Sequence, residues 1–378
     1  MNNVYITRIE KFLPNDPVSN NEMEKILGMV DGRESKSRVL ILRSNGIKTR
    51  YYALDKSGRV THTNAQLTAE AIRRLFDDRI SYNDIDLIAA GTSSPDVIQP
   101  AHALMVAGEL GGKPVEAVSA QGTCNAGMLS LKYAYLSLKT GEKKRAVVAG
   151  SEAFSSWMKA ENYEAEIDRR KEIEENPYIA FEKDFLRWML SDGAAAMLMQ
   201  TQPEEGKPAL RVEWIDVLTY AVELDTCMYA GCEKEKDGSV KGWREMTAKE
   251  QQLKSVFSLK QDARLLQQHI VDKGVEHLKL VIDKYNVDLD SIDYFLPHIS
   301  SMFFKNPLSE GFKKAGLNIP DEKWFLNLPR VGNVGAASAM LMIEELFNTG
   351  KLKKGDKLML MVPESARFSY AYSLLTVV

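Results

Sequence analysis

Three residues of this chain could share one reaction: Cys124 in V-S-A-Q-G-T-C-N-A-G-M-L-S, His298 in Y-F-L-P-H-I-S-S and Asn333 in N-L-P-R-V-G-N-V-G-A-A-S-A-M. A cysteine attacks as its thiolate, and the positive end of a helix favours that anion. Cys124 stands where an apolar run gives way to small residues and then to an alternating apolar pattern, which places it at a strand-to-helix turn. Gly122, Ala126 and Gly127 leave room beside the sulfur for a substrate carbonyl and for backbone N–H groups to face it. A thiolate takes an acyl group as a thioester, and a neutral imidazole with a carboxamide can then hydrogen-bond an enolate oxygen formed beside it. Taken singly, each residue has a plain structural use: a core thiol, a satisfied histidine, a helix-capping asparagine. The other histidines, His62, His102, His269 and His277, read as structural. His298 differs because it follows a buried-type strand, at the strand end where α/β sheets form their sites.

The elements that must position these groups follow an alternating strand and helix pattern. Asp84 to Ala90 reads as a strand leading through G-T-S-S-P into a helix from about Ala101. Val115 to Ser119 leads into the Cys124 helix, and Arg145 to Gly150 into Ser151. The same grammar returns after about residue 250, with a long amphipathic stretch from Leu253 to Tyr285, a strand Tyr294 to His298, a helix from about Ser309 to Lys314, and a helix over Asn333 to Phe347. The C-terminus reads as two strands across a turn, with Pro363 as punctuation. These patterns predict βαβ units with parallel strands, arranged as two similar halves over residues 1–200 and 201–378. Two segments read as inserted: a charge-laced helical stretch at about 159–187, and a loop or hairpin at about 225–250.

Composition narrows the function classes. The chain has 378 residues, 44% of them hydrophobic, which suffices for full cores, and a formal charge of -3, with no basic excess for nucleic acid or an anionic membrane. No run of about 18 apolar residues predicts a membrane span. Three cysteines make no disulfide framework, which fits a reducing, cytoplasmic setting. Cys227 and Cys232 lack nearby partners for a zinc site. The glycines at 332 and 335 lack the spacing of a dinucleotide loop, so no tightly bound cofactor and no metal is expected.

The chain resembles the ketoacyl synthase III branch of the thiolase-like condensing enzymes. The resemblance rests on G-T-S-S-P, A-Q-G-T-C-N-A-G, V-V-A-G-S-E-A, S-D-G-A-A-A-M at 191–197, L-P-H at 296–298 and G-N-V-G-A-A-S at 332–338, in that order. It implies a five-layered αβαβα duplication, usually a homodimer, acting on acyl carrier protein or coenzyme A thioesters. It also implies that Cys124 accepts the acyl group while His298 and Asn333 support decarboxylation and carbanion formation on the second substrate. Family members have His-x-x-Asn after the catalytic strand, where this chain has Ser301, and a Gly-Gly-Gly loop near the C-terminus, where Ala366 takes the position whose amide completes the oxyanion hole. The residues that clamp coenzyme A are replaced by Leu40 and Ser44, which turns the expectation toward carrier-protein-bound acyl groups. Relatives that join two acyl chains head to head use a glutamate base from the partner near P-D-V-I-Q-P, where this chain offers Asp96.

The function expected is an acyl-thioester condensation that forms a carbon–carbon bond, in fatty-acid-like metabolism or in specialised polyketide metabolism of the cyclohexanedione and dialkylresorcinol kind. An acyl transfer to an alcohol or amine, a thioester hydrolase, and a non-catalytic acyl-carrier-binding subunit are the other readings of the same residues.

Overall fold

The computed structural model describes residues 1–35, 37–163 and 185–378. The greater part of the charged segment expected at 159–187 therefore lies outside the described residues. Nine strands form one sheet: β1 (Tyr5–Phe12), β2 (Leu87–Thr92), β3 (Glu116–Gln121), β4 (Arg145–Glu152), β5 (Gly193–Gln200), β6 (Leu210–Thr219), β7 (Tyr294–Pro297), β8 (Lys357–Glu364) and β9 (Ser369–Val377). Their order is β7-β8-β9-β6-β1-β5-β4-β2-β3. The first half runs third, second, fourth, fifth, first strand from its outer edge. The second half repeats that order, its third strand reduced to a parallel bridge of Trp324 with Phe295. In each half the second strand pairs in parallel with the third and the fourth, and the fifth is antiparallel to its neighbours. The halves meet where β1 pairs with β6 at Tyr5↔Arg211 and Ile6↔Leu210.

Residue alternation along the strands sorts side chains into layers. Leu87, Ala89, Ala146, Val148, Leu358 and Leu360 face one core, filled from α3 (Ala126–Thr140) and α6 (Ser338–Asn348). Their neighbours Ile88, Val147 and Ala149 face the opposite side, under α1 (Asn64–Arg73) and α2 (His102–Leu110). Met359, Met361, Tyr370 and Tyr372 likewise face α4 (Ala263–Tyr285) and α5 (Lys305–Lys314). The result is the five-layered αβαβα arrangement, with α3 and α6 in the middle.

Local chemistry moved several boundaries. The stretch expected as one element from Leu253 to Tyr285 is broken: a short helix ends at Leu253, Lys260–Gln261 pairs with Met228–Tyr229, and Asp262 then caps α4 by accepting from the Leu265 N–H at 3.0 Å. Helix α5 begins at Lys305, a turn before the expected start, because Pro307 falls in its first turn, where no N–H is needed. Helix α6 begins at Ser338, after a 3₁₀ turn over Gly335–Ala337, so Asn333 precedes the helix instead of opening it. Pro363 lies inside β8, opposite Tyr370, not at the turn. The parity of the strand points its nitrogen to the β7 side, beyond the last pair Pro297↔Met361, where no ladder needs a donor. Within 225–250, Cys232–Lys234 and Val240–Gly242 form the expected hairpin.

The layers meet backbone on backbone at one point. A Cβ on Gly91 would lie 2.2 Å from the Ala126 carbonyl oxygen, one on Gly127 2.2 Å from the Ala336 oxygen, and one on Gly150 2.4 Å from that same oxygen. Even the smallest side chain is excluded there. Gly127→Ala is expected to lower stability by about 1–3 kcal/mol, seen as a lower Tm. Gly122→Ala, whose Cβ would meet nothing nearer than 3.9 Å, should melt like wild type. Equal melting of the two variants would contradict the close approach.

Candidate active site

The parallel strands of both halves end around one cavity. Ser93 follows β2, Thr123 and Cys124 follow β3, Glu152 ends β4, His298 follows β7, and Pro363 to Ser365 span the end of β8. Strand ends are where backbone groups are left free and side chains converge. The cavity, with the open solvent at its mouth, spans about 670 Å³ of space not filled by atoms, and Cys124, His298 and Asn333 all line it. Each of the three is less than a tenth exposed. Away from this polar end the walls are apolar, from Phe154, Leu190, Met228, Leu266, Ile270 and Leu308.

Asn333 is held as an extended segment against the first half. Its N–H donates to the Met189 carbonyl at 3.0 Å and its carbonyl accepts from the Ser191 N–H at 2.9 Å. Its side-chain Oδ1 accepts from the Gly335 N–H at 3.0 Å, which leaves the NH₂ group as the amide edge it can offer to the cavity. His298 is positioned by its own N–H on the Met361 carbonyl at 2.7 Å, and its Nε2 is buried with no hydrogen-bond partner among the described residues. Burial alone lowers the imidazole to about 4, so at neutral pH it is uncharged and can present a donor or an acceptor.

The sulfur's surroundings oppose the expected thiolate. Cys124 sits just before Asn125, the N-cap of α3, as the strand-to-helix reading required. Yet burial first, and then the nearby carboxyls of Glu364 and Glu152, push the thiol well above its ordinary range. In the resting protein the group is a thiol.

Both carboxyls escaped the sequence reading. Glu152 accepts from Ser93 Oγ and Ser94 Oγ in the first half and from the Ala336 N–H, at 3.0 Å, in the second. Burial raises it to about 7 against the pull of these donors. Its signal was available, since a carboxylate closing the otherwise apolar strand V-V-A-G-S-E must find buried donors. Glu364 accepts from Thr123 Oγ1 at 2.8 Å and from the Ala366 N–H at 2.9 Å, and burial raises it too.

Two supporting residues expected from the resemblance take other roles. The Ala366 N–H, the expected oxyanion donor, is occupied by Glu364, and Ala366 does not line the cavity. Ser301 does not line it either: its Oγ accepts from the Phe303 N–H at 3.2 Å, capping the Met302–Phe304 turn, and Ser300 faces the cavity instead. Leu40 and Ser44 are both exposed, on the helix Arg38–Asn45. Asp96 spends its carboxylate on the first N–H groups of α1, those of Asn64 and Ala65, at 2.7 and 2.9 Å. His102 is enclosed with Ser151 and Thr68, and His277 bonds Asp216.

Between about 4 and the unfolded value of about 6.5, an unfolded chain binds a proton that the folded site refuses to His298. The wild type should therefore lose stability relative to His298→Asn as pH falls through that window, and the difference should be flat above it. Thermal melts of the two proteins across the acid range test this, and a pH-independent difference would refute it.

A family model described as 3-Oxoacyl-[acyl-carrier-protein (ACP)] synthase III C terminal matches residues 282–370, which include His298, Asn333 and Glu364. Over nearly the whole chain, the sequence is 24% identical across 362 residues to the Beta-ketoacyl-[acyl-carrier-protein] synthase III of Clostridium perfringens (strain ATCC 13124), covering 96% of this chain and 95% of that one. The protein of the same name from Rhizobium meliloti (strain 1021) is 27% identical over 352 residues, covering 92% and 91%. Among solved structures, AbyA1, a tetronic acid condensing enzyme, superposes with a TM-score of 0.73 at 21% identity over 99% of both chains. Xanthomonas campestris OleA with bound lauric acid and lauroyl-CoA gives 0.72 at 19% identity, again over 99% of both.

Proposed function

We propose that this chain is a ketoacyl synthase III-like condensing enzyme of the thiolase superfamily and that it carries its acyl group on Cys124. The observation that carries this reading is the single cavity lined by Cys124, His298 and Asn333 and continued by apolar walls. In the first half-reaction the sulfur attacks an acyl thioester, the carrier thiol leaves, and the acyl chain lies along those apolar walls. In the second, a malonyl-type thioester loses carbon dioxide, or a β-ketoacyl thioester gives up its acidic α-proton to solvent, and the resulting enolate oxygen is met by two uncharged groups, the His298 ring and the Asn333 NH₂. The new carbon–carbon bond forms as the acyl group leaves the sulfur. Uncharged donors suit this step because they stabilise a developing anion without first binding the substrate carboxylate as a salt bridge.

Exposed Leu40 and Ser44, where the family's coenzyme A clamp would stand, favour an acyl chain delivered by a carrier protein. The active unit proposed is a cytoplasmic homodimer. Strand β3 is an outer edge of the sheet, and beside it Leu129, Tyr133 and Leu136 form an exposed apolar stripe along α3. No described helix is long and apolar enough to cross a membrane. The proposed metabolic setting is a specialised condensation of two acyl chains, of the kind that builds a cyclohexanedione or resorcinol ring, with no tightly bound cofactor.

Incubation with a panel of acyl-carrier-protein and coenzyme A thioesters should give an acyl adduct on the intact protein that Cys124→Ala abolishes. Addition of malonyl or β-ketoacyl thioester should discharge it into a product with a new carbon–carbon bond. An acylated alcohol or amine, or rapid release of free acid without a second substrate, would replace this reading with acyl transfer to a heteroatom or with hydrolysis. Light scattering should give twice the mass of the chain, and Leu136→Glu should halve it.

A further inference from the structure

An acyl chain held in the cavity must end against something. We propose that the side chain of Met361, folded into the gap left by Gly274, is the floor of the cavity and sets the length of chain that the protein accepts. The proposal rests on the acyl group being carried on Cys124 with its chain in this cavity.

The floor is located by where the lining stops. Thr123 Oγ1 donates to Glu364 Oε1 at 2.8 Å, which puts Cys124, the next residue, level with the end of β8. Going back along that strand, the alternate residues Ser365, Pro363 and Met361 line the cavity in turn. Met359, the next on the face toward α4, does not. On α4 the lining stops at Val271, among the described residues. From Glu364 to Met361 is about 10 Å at the usual rise of ~3.3 Å per residue, and a chain on the sulfur has about that depth to fill. Met361, Val271 and Leu308 are all apolar, so the floor suits an unbranched chain ending in a methyl group and penalises one ending in a carboxylate or hydroxyl.

Gly274 makes room for this floor. A Cβ there would lie 2.6 Å from Met361 Cε and 3.4 Å from Tyr370 Cε1. The other groups at this point are tied down. Tyr370 Oη donates to the Ile270 carbonyl at 2.9 Å and Tyr372 Oη to the Gly274 carbonyl at 2.8 Å, which fastens α4 to β9 at two successive turns. Helix α5 packs as tightly, since a Cβ on Gly311 would lie 2.8 Å from Val271 Cγ1. The Met361 backbone pairs with Pro297 and Tyr372, and its carbonyl accepts from the His298 N–H at 2.7 Å. What can give is the flexible end of the methionine, and the space it borders is the cavity. Bulk added at 274 therefore shortens the cavity, and bulk removed at 361 lengthens it.

Single-turnover acylation is measured by intact mass with saturated acyl-N-acetylcysteamine thioesters from butanoyl to tetradecanoyl. Each rate is divided by the butanoyl rate of the same variant, so that a general effect on the sulfur cancels. The wild type should show a cut-off length. Met361→Ala should raise it by about two carbons, gaining roughly 10-fold on the first chain that the wild type rejects, since each seated methylene is worth roughly 4-fold. Gly274→Ala should lower it by about two carbons, with a loss of roughly 10-fold on the longest chain that the wild type accepts. The double variant Gly274→Ala/Met361→Ala should follow Met361→Ala, because the added methyl then has no side chain to push. That methyl also fills part of the space vacated at 361, so the double variant keeps the test if a single one melts early. No cut-off in the wild type, an unmoved cut-off in either single variant, movement of both in one direction, or a double variant that follows Gly274→Ala overturns the proposal. Absence of any acyl adduct on the wild type overturns the parent reading as well, whereas adducts with an unmoved cut-off remove the floor alone.

Discussion

The site depends on three carbonyl-to-backbone contacts with no side chain between them. Gly91 lies against Ala126 at the start of α3, and Gly127 and Gly150 both lie against the Ala336 carbonyl oxygen. Close-packed interiors transmit such contacts without slack. Because Ala126 is two residues past Cys124 and Ala336 three past Asn333, this contact sets the separation of sulfur and amide. Glu152 adds a hydrogen bond at the same place, from the end of β4 to the Ala336 N–H. The His298 strand needs no such device, since parallel pairing with β8 already delivers the ring to the cavity.

Duplication explains why the chemistry divides as it does. Each half contributes the ends of its second, third and fourth strands to one edge, and the β1–β6 pairing turns those edges toward each other. Cys124 comes from the end of the third strand of the first half, the imidazole of His298 from the end of the second strand of the second half. A single half could bury a thiol or present a histidine; the enclosed cavity exists only between the two. Its electrostatics follow from that enclosure. With water excluded, a thiol, an imidazole and two carboxyls all lie nearer their neutral forms, and burial moves the thiol further from the imidazole, the one raised and the other lowered.

Much of this was legible in the residues. Short apolar runs located β2, β3, β4 and β7 to within a few positions, and the family resemblance carried by the order of the short motifs implied the duplicated five-layered fold. Cys124 and His298 could be singled out because each follows a strand-like run and carries chemistry, and Asn333 because it stands in a Gly-rich turn leading into a helix. What stayed hidden depended on three dimensions. Pro363 read as a turn, because nothing in the sequence tells that β7 stops short of it. Ala366 read as a free amide by position, because the carboxylate that occupies it, two residues earlier, looked like any charged residue in a loop. Ser301 kept the place of an asparagine but not its reach, and turned inward to cap its own segment.

The contact between Ala336 and the two glycines also bears on how this sequence can vary. Since Gly127 and Gly150 of the first half both approach the backbone carbonyl of Ala336, which any residue at 336 would carry, no change of side chain there can make room for bulk at either glycine. Substitutions at 127 and 150, which would crowd the same oxygen, should therefore be non-additive, and the first half is held to glycine at both positions whatever side chain the second half carries at 336.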